Sequence, residues 1–334
     1  MKKVNDIQRL QVLDVINEFG LGISEFALEK DFMVTDALDS LANINNPDFE
    51  LVFCGGTCLS KAYGLLERVS EDVDIKATPK LSEGLTKSKI RSSMSKLKDD
   101  LEGALNLAGF KSEFISRDAK GDNNFIEFDI QYLSHFQVSP AMRANLKLEV
   151  SYSPLQLPKQ DKEIMLLFDF LASMSTGPRF LIPCVDLREA LAEKLITFPR
   201  RLALSLTKAG EKADKALVRH LYDVYQITAK NPDLLKNDLV LMTNLVAKVI
   251  KKDGLDFAKQ HDAFVKDPLG EINKAMSYAK ADPQTKRTYD EFIRVMVYDK
   301  NAPSFADAFS QFSQTLNLAI PNFCDSRLDS ALIF

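Results

Sequence analysis

Between residues 49 and 77 the chain writes a short apolar run, a Gly-Gly turn, a helix-length segment, a polar loop and a second apolar run holding two aspartates. Phe49-Glu50-Leu51-Val52-Phe53-Cys54 reads as a strand that Gly55-Gly56 ends. Thr57 is placed to cap a helix reaching about Leu66, and Val73 to Ala77 returns as a strand. Strand, turn, helix and strand in so few residues demand a mixed α/β lobe. Glycines at a strand-to-helix turn let backbone N–H groups approach a phosphate, and a helix N-terminus adds roughly half a positive charge there. Many proteins make such a turn for structural reasons alone, so the chemistry rests on the acidic residues downstream of it.

Those residues are Asp72 and Asp74, in the run Asp72-Val73-Asp74. Residues two apart on a strand point to one face, so both carboxylates converge while Val73 and Ile75 turn to the core. Carboxylates held that close repel unless a cation sits between them. Oxygen ligands with room for water and substrate phosphates suit Mg²⁺, or Mn²⁺ in its place. A third carboxylate is on offer in Leu146-Lys147-Leu148-Glu149-Val150-Ser151-Tyr152, where Lys147, Glu149 and Ser151 share the face opposite the apolar residues. If this strand lies beside the first, Glu149 joins Asp72 and Asp74 in a cluster able to hold two ions about 4 Å apart. Glu127 and Asp129 alternate with Ile126, Phe128 and Ile130 on another strand, so spacing leaves Asp129 open as the third carboxylate.

The surrounding pattern extends this lobe. Ile7, Leu10, Val12, Leu13, Ile16 and Phe19 form a helical stripe, and a second helix runs from Ser24, its cap, to about Leu41. A basic amphipathic helix spans Leu85 to Ala108 and stops at Gly109; its Lys87, Lys89, Arg91, Lys96 and Lys98 can grip an RNA backbone or simply face water. Strands are expected at Lys111–Ser116, Asn124–Tyr132 and Leu146–Tyr152. Beyond Pro154 and Pro158 only Phe180–Ile182 reads as strand, and the rest is helical. The fold class is therefore α+β, a mixed α/β lobe followed by a helical C-terminal lobe. The boundaries are residues 1–45 for leading helices packed on the catalytic lobe, 46–155 for the core, and 156–334 for a helical lobe completing the active site.

Composition excludes several classes. With 46% hydrophobic and 27% charged residues the chain is globular rather than disordered. Its net charge of −4 rules out a uniformly basic nucleic-acid coat but not a local groove. Four scattered cysteines, Cys54, Cys58, Cys184 and Cys324, make neither a disulfide framework nor, lacking neighbouring Cys or His, a zinc site. No signal-peptide run and no stretch near the roughly 18 apolar residues of a membrane span is present, so a cytoplasmic location with no membrane partner is expected. No Gly-x-Ser-x-Gly or P-loop element occurs, which weakens hydrolase and P-loop readings.

In the later half, Lys194 falls on the apolar stripe of Leu187, Ala190, Leu191, Leu195 and Phe198. A lysine there must snorkel, pair or face a cleft. Arg219 and Asp223 are i,i+4 neighbours able to pair on one helical face. Arg200 and Arg201 come soon after Lys194 as further cations. Lys61 lies one turn after Thr57, where it either holds phosphate or is solvated.

Gly-Gly-Thr followed by Ser-Glu-Asp-Val-Asp resembles motif I of the polymerase-β-like nucleotidyltransferase superfamily, and within it the AbiEii toxins of type IV toxin–antitoxin and abortive-infection systems. Leu28-Glu29-Lys30-Asp31-Phe32 is similar to that family's leading helix, and Leu191-Ala192-Glu193-Lys194-Leu195 resembles its motif IV. The resemblance spans roughly residues 25–230. It implies an NTP substrate and nucleotide contacts from Gly55, Gly56, Thr57, Arg68, Ser70 and Lys194, to which Lys61 is added only by its place one turn after Thr57. It also implies metal ligation by Asp72, Asp74 and Glu149, the last standing where many relatives carry Asp. Lys194 and Asp223 are implied as further catalytic residues. The implied function is magnesium-dependent transfer of a nucleoside monophosphate to RNA, with transfer RNA 3′ ends favoured. The toxic outcome would be checked by a separately encoded antitoxin that forms no stable complex. The residues themselves leave the acceptor open among RNA, a protein hydroxyl and a small molecule such as an aminoglycoside, or a silent nucleotide-binding regulator.

Overall fold

The computed structural model describes the chain except residues 21, 82–85, 140–141, 172, 208–213 and 321–334. It divides into two compact units, Met1–Asp186 and Leu187–Phe334.

The first unit is built on helices α1 (Asp6–Phe19) and α2 (Glu25–Ala42), strand β1 (Phe49–Cys54), helix α3 (Gly55–Lys61), strand β2 (Asp72–Pro79) and helix α4 (Lys87–Leu107). Strands β3 (Ile115–Lys120), β4 (Phe125–Ile130), β5 (Leu146–Tyr152) and β6 (Gln160–Ile164), helix α5 (Leu167–Leu171) and strand β7 (Phe180–Cys184) complete it. The strands form one mixed seven-stranded sheet in the order β3-β4-β5-β2-β1-β7-β6. β2 lies at its centre, antiparallel to β1 and parallel to β5. The alternation expected of β2 and β5 holds: Val73, Ile75, Leu146, Leu148 and Val150 are buried, while Asp72, Asp74, Lys147 and Glu149 are half-exposed on the other side.

Ser24 caps α2 as expected, its hydroxyl accepting from the Ala27 N–H at 3.3 Å. Several local expectations change. Ile7 and Leu10 are exposed and the buried residues of α1 include Val12 and Val15, while Asn5 and Gln8 close a capping box at its start. Thr57 lies inside α3 rather than capping it, and α3 ends at Lys61, short of Leu66, with Gly64 at φ +61° turning the chain away. A 3₁₀ turn over Ser112–Phe114 displaces β3 to Ile115–Lys120. The strand β6, Gln-Asp-Lys-Glu-Ile, is an addition to the expected set: it is a polar edge strand with no apolar alternation to announce it. Because β6 and β7 complete the sheet, the first unit runs to Asp186 and not to residue 155. The expected helix start at Leu85, the thiol of Cys324 and the chain's last residues lie outside the described residues.

The second unit consists of α6 (Leu187–Thr207), α7 (Arg219–Lys230), α8 (Asp233–Lys236), α9 (Leu239–Asp256), α10 (Asp262–Lys266), α11 (Pro268–Ala281), α12 (Pro283–Met296) and α13 (Phe305–Ala319). Its core is aromatic: Phe198 meets Phe312 edge-on at 5.3 Å, and Tyr222 meets Phe292 at 5.8 Å. No helix among the described residues is long and apolar enough to cross a membrane.

Candidate active site

The candidate site occupies the half-exposed face of β2 and β5. The parallel register sets Asp72 beside Lys147 and Asp74 beside Glu149. Strands in a sheet lie about 4.8 Å apart, so Glu149 is the carboxylate next to Asp74. Asp129 is a strand further away, opposite Lys147 on β4, and its Oδ1 accepts from the Asn145 amide at 2.7 Å. Register thus puts Glu149, not Asp129, at Asp74's side.

The glycine turn is shaped first by protein side chains. Gly55 has φ +75°, and a Cβ there would lie 2.7 Å from Cγ of Asp74, overlapping its carboxylate. A Cβ on Gly56 would overlap the guanidinium of Arg68. Arg68 is 4% exposed and donates to the Val69 carbonyl at 3.1 Å and the Ser70 hydroxyl at 3.4 Å. The Thr57 hydroxyl donates to the Asp72 carbonyl and lies 2.8 Å from that of Ser70. Gly55, Gly56, Thr57, Arg68 and Ser70 therefore form one knot that ties the start of α3 to the start of β2 and seats Asp74 against the turn.

Lys61 is neither solvated nor open. Its side chain is 3% exposed, and its ammonium pairs with Asp31 at 2.5 Å. Asp31 belongs to Glu29-Lys30-Asp31, three consecutive charged residues all buried on α2. Asp31 also accepts from the Leu167 N–H at 2.6 Å, and Glu29 accepts from the His135 N–H at 2.8 Å and from the Ser134 hydroxyl. Lys30 donates to Glu71 at 3.0 Å and to the carbonyls of Arg143 at 2.6 Å and Asn145 at 2.9 Å. Burial pulls the Lys30 ammonium below its ordinary range, and the Glu71 charge opposes that pull. Glu71 in turn accepts from the Arg143 N–H at 2.8 Å. One buried lysine thus fastens the residue before Asp72 to the segment that leads into β5.

Two cations stand on the site's carboxylates. The Arg143 guanidinium donates to Asp72 at 3.1 Å. The Lys147 ammonium bonds Glu149 and also lies 3.2 Å from Glu127. Burial opposes the Lys147 charge, but its bonds to Glu149 and Glu127 outweigh that and hold the ammonium above its ordinary range. Among the described residues no three His, Cys, Asp or Glu side chains converge closely enough to hold a metal ion. The expected neighbouring strands are present, and Lys147 stands between Glu149 and Glu127 on the same face. The pair Asp72 and Asp74 remains on one face, and the charge it carries is answered by a basic side chain. Two carboxylates, with water and substrate phosphates for the other positions, are an ordinary donor set for a hard divalent ion.

Sequence reasoning alone assigns no part in the site to Lys30, Glu71 or Arg143. Lys147 is readable, being two residues from Glu149 on the same strand face; Arg143 comes from a loop with no periodicity to mark it.

In the second unit Lys194 on α6 pairs with Asp223 on α7 at 2.7 Å, both nearly buried. Of the ways a lysine on an apolar stripe can be accommodated, pairing is the one realised. Arg200, a candidate for nucleotide or acceptor contact, is buried against Asp253 at 2.6 Å and over the Phe257 ring at 3.9 Å. Burial lowers the Arg200 pKa and raises that of Asp253. Arg201 pairs with Asp214 at the surface. On α4, Lys89 and Arg91 make exposed pairs with Asp48 and Asp122, the pattern of a wet helix face. Cys54, Cys58 and Cys184 are buried thiols outside any disulfide.

The family model for the nucleotidyl transferase AbiEii toxin of type IV toxin–antitoxin systems matches residues 37–311. The chain belongs to the AbiEii family. Membership makes it a nucleotidyltransferase toxin of a type IV toxin–antitoxin system. It carries with it an NTP substrate, an antitoxin partner and, as usual in the family, a divalent metal. Among solved structures the fold is similar to MenT4, a nucleotidyltransferase toxin from Mycobacterium tuberculosis H37Rv, with TM-score 0.54 and 17% identity over 97% of this chain and 91% of that one. No curated protein matches the sequence. Asp72 and Asp74 stand two residues apart on the same face of β2, at the centre of the sheet.

Proposed function

We propose that this AbiEii toxin transfers a nucleoside monophosphate from an NTP to an RNA hydroxyl, with Mg²⁺ as the ion and transfer RNA 3′ ends as the acceptor, in the cytoplasm. The observation that carries the reaction type is the register of β2 and β5, which sets Glu149 beside Asp74 on the face that Asp72 shares. The choice of RNA rests on the family resemblance. Asp72 and Asp74 are the residues that would hold the ion, whose chemistry when bound is to neutralise charge on the triphosphate and on departing pyrophosphate. Glu149 takes the proton of the acceptor hydroxyl as its oxygen bonds to the α-phosphorus. The bond from that phosphorus to the bridging oxygen breaks, and pyrophosphate leaves. The knot of Gly55, Gly56, Thr57, Arg68 and Ser70 keeps Asp74 in place while this happens. Catalysis of this kind rests mainly on positioning and electrostatics.

The test is to incubate the protein with each labelled NTP together with total RNA and total cellular protein. RNA should take up label, and Asp72→Ala or Asp74→Ala should abolish uptake with the thermal midpoint unchanged within a few degrees. Label entering protein or a small molecule would replace the acceptor. Full incorporation by either variant would overturn the site.

A further inference from the structure

We propose that the Lys147 ammonium takes the place of a second divalent ion, so that one ion, at Asp72 and Asp74, serves the transfer. This inference rests on the nucleotidyl-transfer reading above and concerns the same site.

A two-ion site needs a carboxylate shared between the ions and a third one committed to the acceptor side. Glu149 is the residue that register brings to Asp74, but its charge is already answered. Lys147 sits two residues earlier on the same strand face, bonded to Glu149 and 3.2 Å from Glu127. The antiparallel register of β4 and β5 makes this arrangement natural, since Glu127 lies directly across from Glu149. Two like charges facing each other across a strand pair repel, and a lysine on the same face removes that repulsion from within the chain. The side chain is 21% exposed, so it reaches the site's surface without being a freely solvated lysine. A second dication placed at Glu149 would have to displace an ammonium that two carboxylates hold.

Lys147 acts through Glu149 and is a positioning residue: it fixes the carboxylate that accepts the hydroxyl proton and supplies fixed positive charge on the acceptor side. Asp72 differs. Its cation is Arg143, which is half-exposed and comes from a loop, so a dication can exchange with it at little cost.

The test counts ions. The full-length protein is dialysed to equilibrium against Mn²⁺ with the α,β-methylene analogues of the four NTPs in turn, and bound Mn²⁺ is measured per bound nucleotide. One ion in the wild type, two in Lys147→Met and one in Lys147→Arg is the expected result. Two ions in the wild type overturns the inference while leaving the nucleotidyl-transfer reading standing. One ion in both wild type and Lys147→Met also overturns it, since the lysine would then be holding no ion's place. Nucleotide bound with no Mn²⁺ in the wild type overturns the metal reading itself, and the inference with it. The wild-type count decides the matter even if Lys147→Met does not fold.

Discussion

Lys30 donates to Glu71 at 3.0 Å, and Glu71 is the residue immediately before Asp72. The lysine is on α2, 41 positions away in sequence, and its other two bonds go to the carbonyls of Arg143 and Asn145 at the approach to β5. The ends of the two strands that carry Asp72, Asp74 and Glu149 are therefore held together from beneath by one side chain.

Lys30→Met leaves the Glu71 carboxylate in a 4%-exposed position without its ammonium. Breaking a buried pair by removing one partner costs about 3–5 kcal/mol. In a unit of this size that is a fall in thermal midpoint on the order of 10 °C. The measurement is calorimetry or urea unfolding of Lys30→Met beside a Lys30→Met/Glu71→Met double variant, which should recover much of the loss. A single-variant loss under about 1 kcal/mol, the worth of an exposed pair, would show that this network does not hold the strands.

Gly55→Ala tests the seat of Asp74. Position 55 has φ +75°, and an added methyl overlaps the Asp74 carboxylate. The backbone conformation alone costs about 1–2 kcal/mol for a residue with a Cβ, and the larger effect is displacement of Asp74. A misplacement on the order of 1 Å costs roughly 100-fold in rate, so NTP incorporation should fall by at least that factor in a protein that still folds. Gly103→Ala is the matched control. Gly103 is in α4, exposed, with nothing within 4 Å of a new Cβ, so this change should leave the rate alone and raise stability by about 0.5–1 kcal/mol. Equal rates for Gly55→Ala and Gly103→Ala would mean that Asp74 does not depend on the turn.

The legibility of this molecule tracks a physical divide. Where the signal is periodic, sequence suffices: the alternation of Val73 and Ile75 with Asp72 and Asp74 reports the two faces of β2 because one of them is covered. The same holds for β5, and the prediction that it neighbours β2 is met by the register of Asp74 with Glu149. Where the organising force is a long-range pair, sequence is silent. Nothing within a few residues of Lys30 says that its partner is Glu71, and nothing near Arg143 says that it stands on Asp72. β6 escapes for a third reason: an edge strand flanked by solvent has no need of apolar alternation, so Gln160 to Ile164 carries none. The three-carboxylate expectation reads the strand neighbourhood from periodicity, but the Lys147 that stands on Glu149 is a side-chain pairing that periodicity does not report.

The pair Lys194 and Asp223 calls for a different experiment, since a loss of activity in either single variant would have two causes. The side chains are 9% and 1% exposed and 2.7 Å apart, so Lys194→Met leaves a buried carboxylate and Asp223→Leu a buried ammonium, each costing about 3–5 kcal/mol. The Lys194→Met/Asp223→Leu double variant removes both charges from an apolar setting, with Tyr222 and Val224 beside Asp223 already buried. It should be more stable than either single variant, which, with single losses of about 3–5 kcal/mol, means a coupling of at least about 3 kcal/mol in the cycle. We propose that both residues take part in catalysis, and on that proposal the double variant is folded yet incorporates no NTP. Urea unfolding and labelled-NTP incorporation on all four proteins separate the two contributions. A stable double variant with wild-type incorporation would leave the pair as packing of α6 against α7 and nothing more.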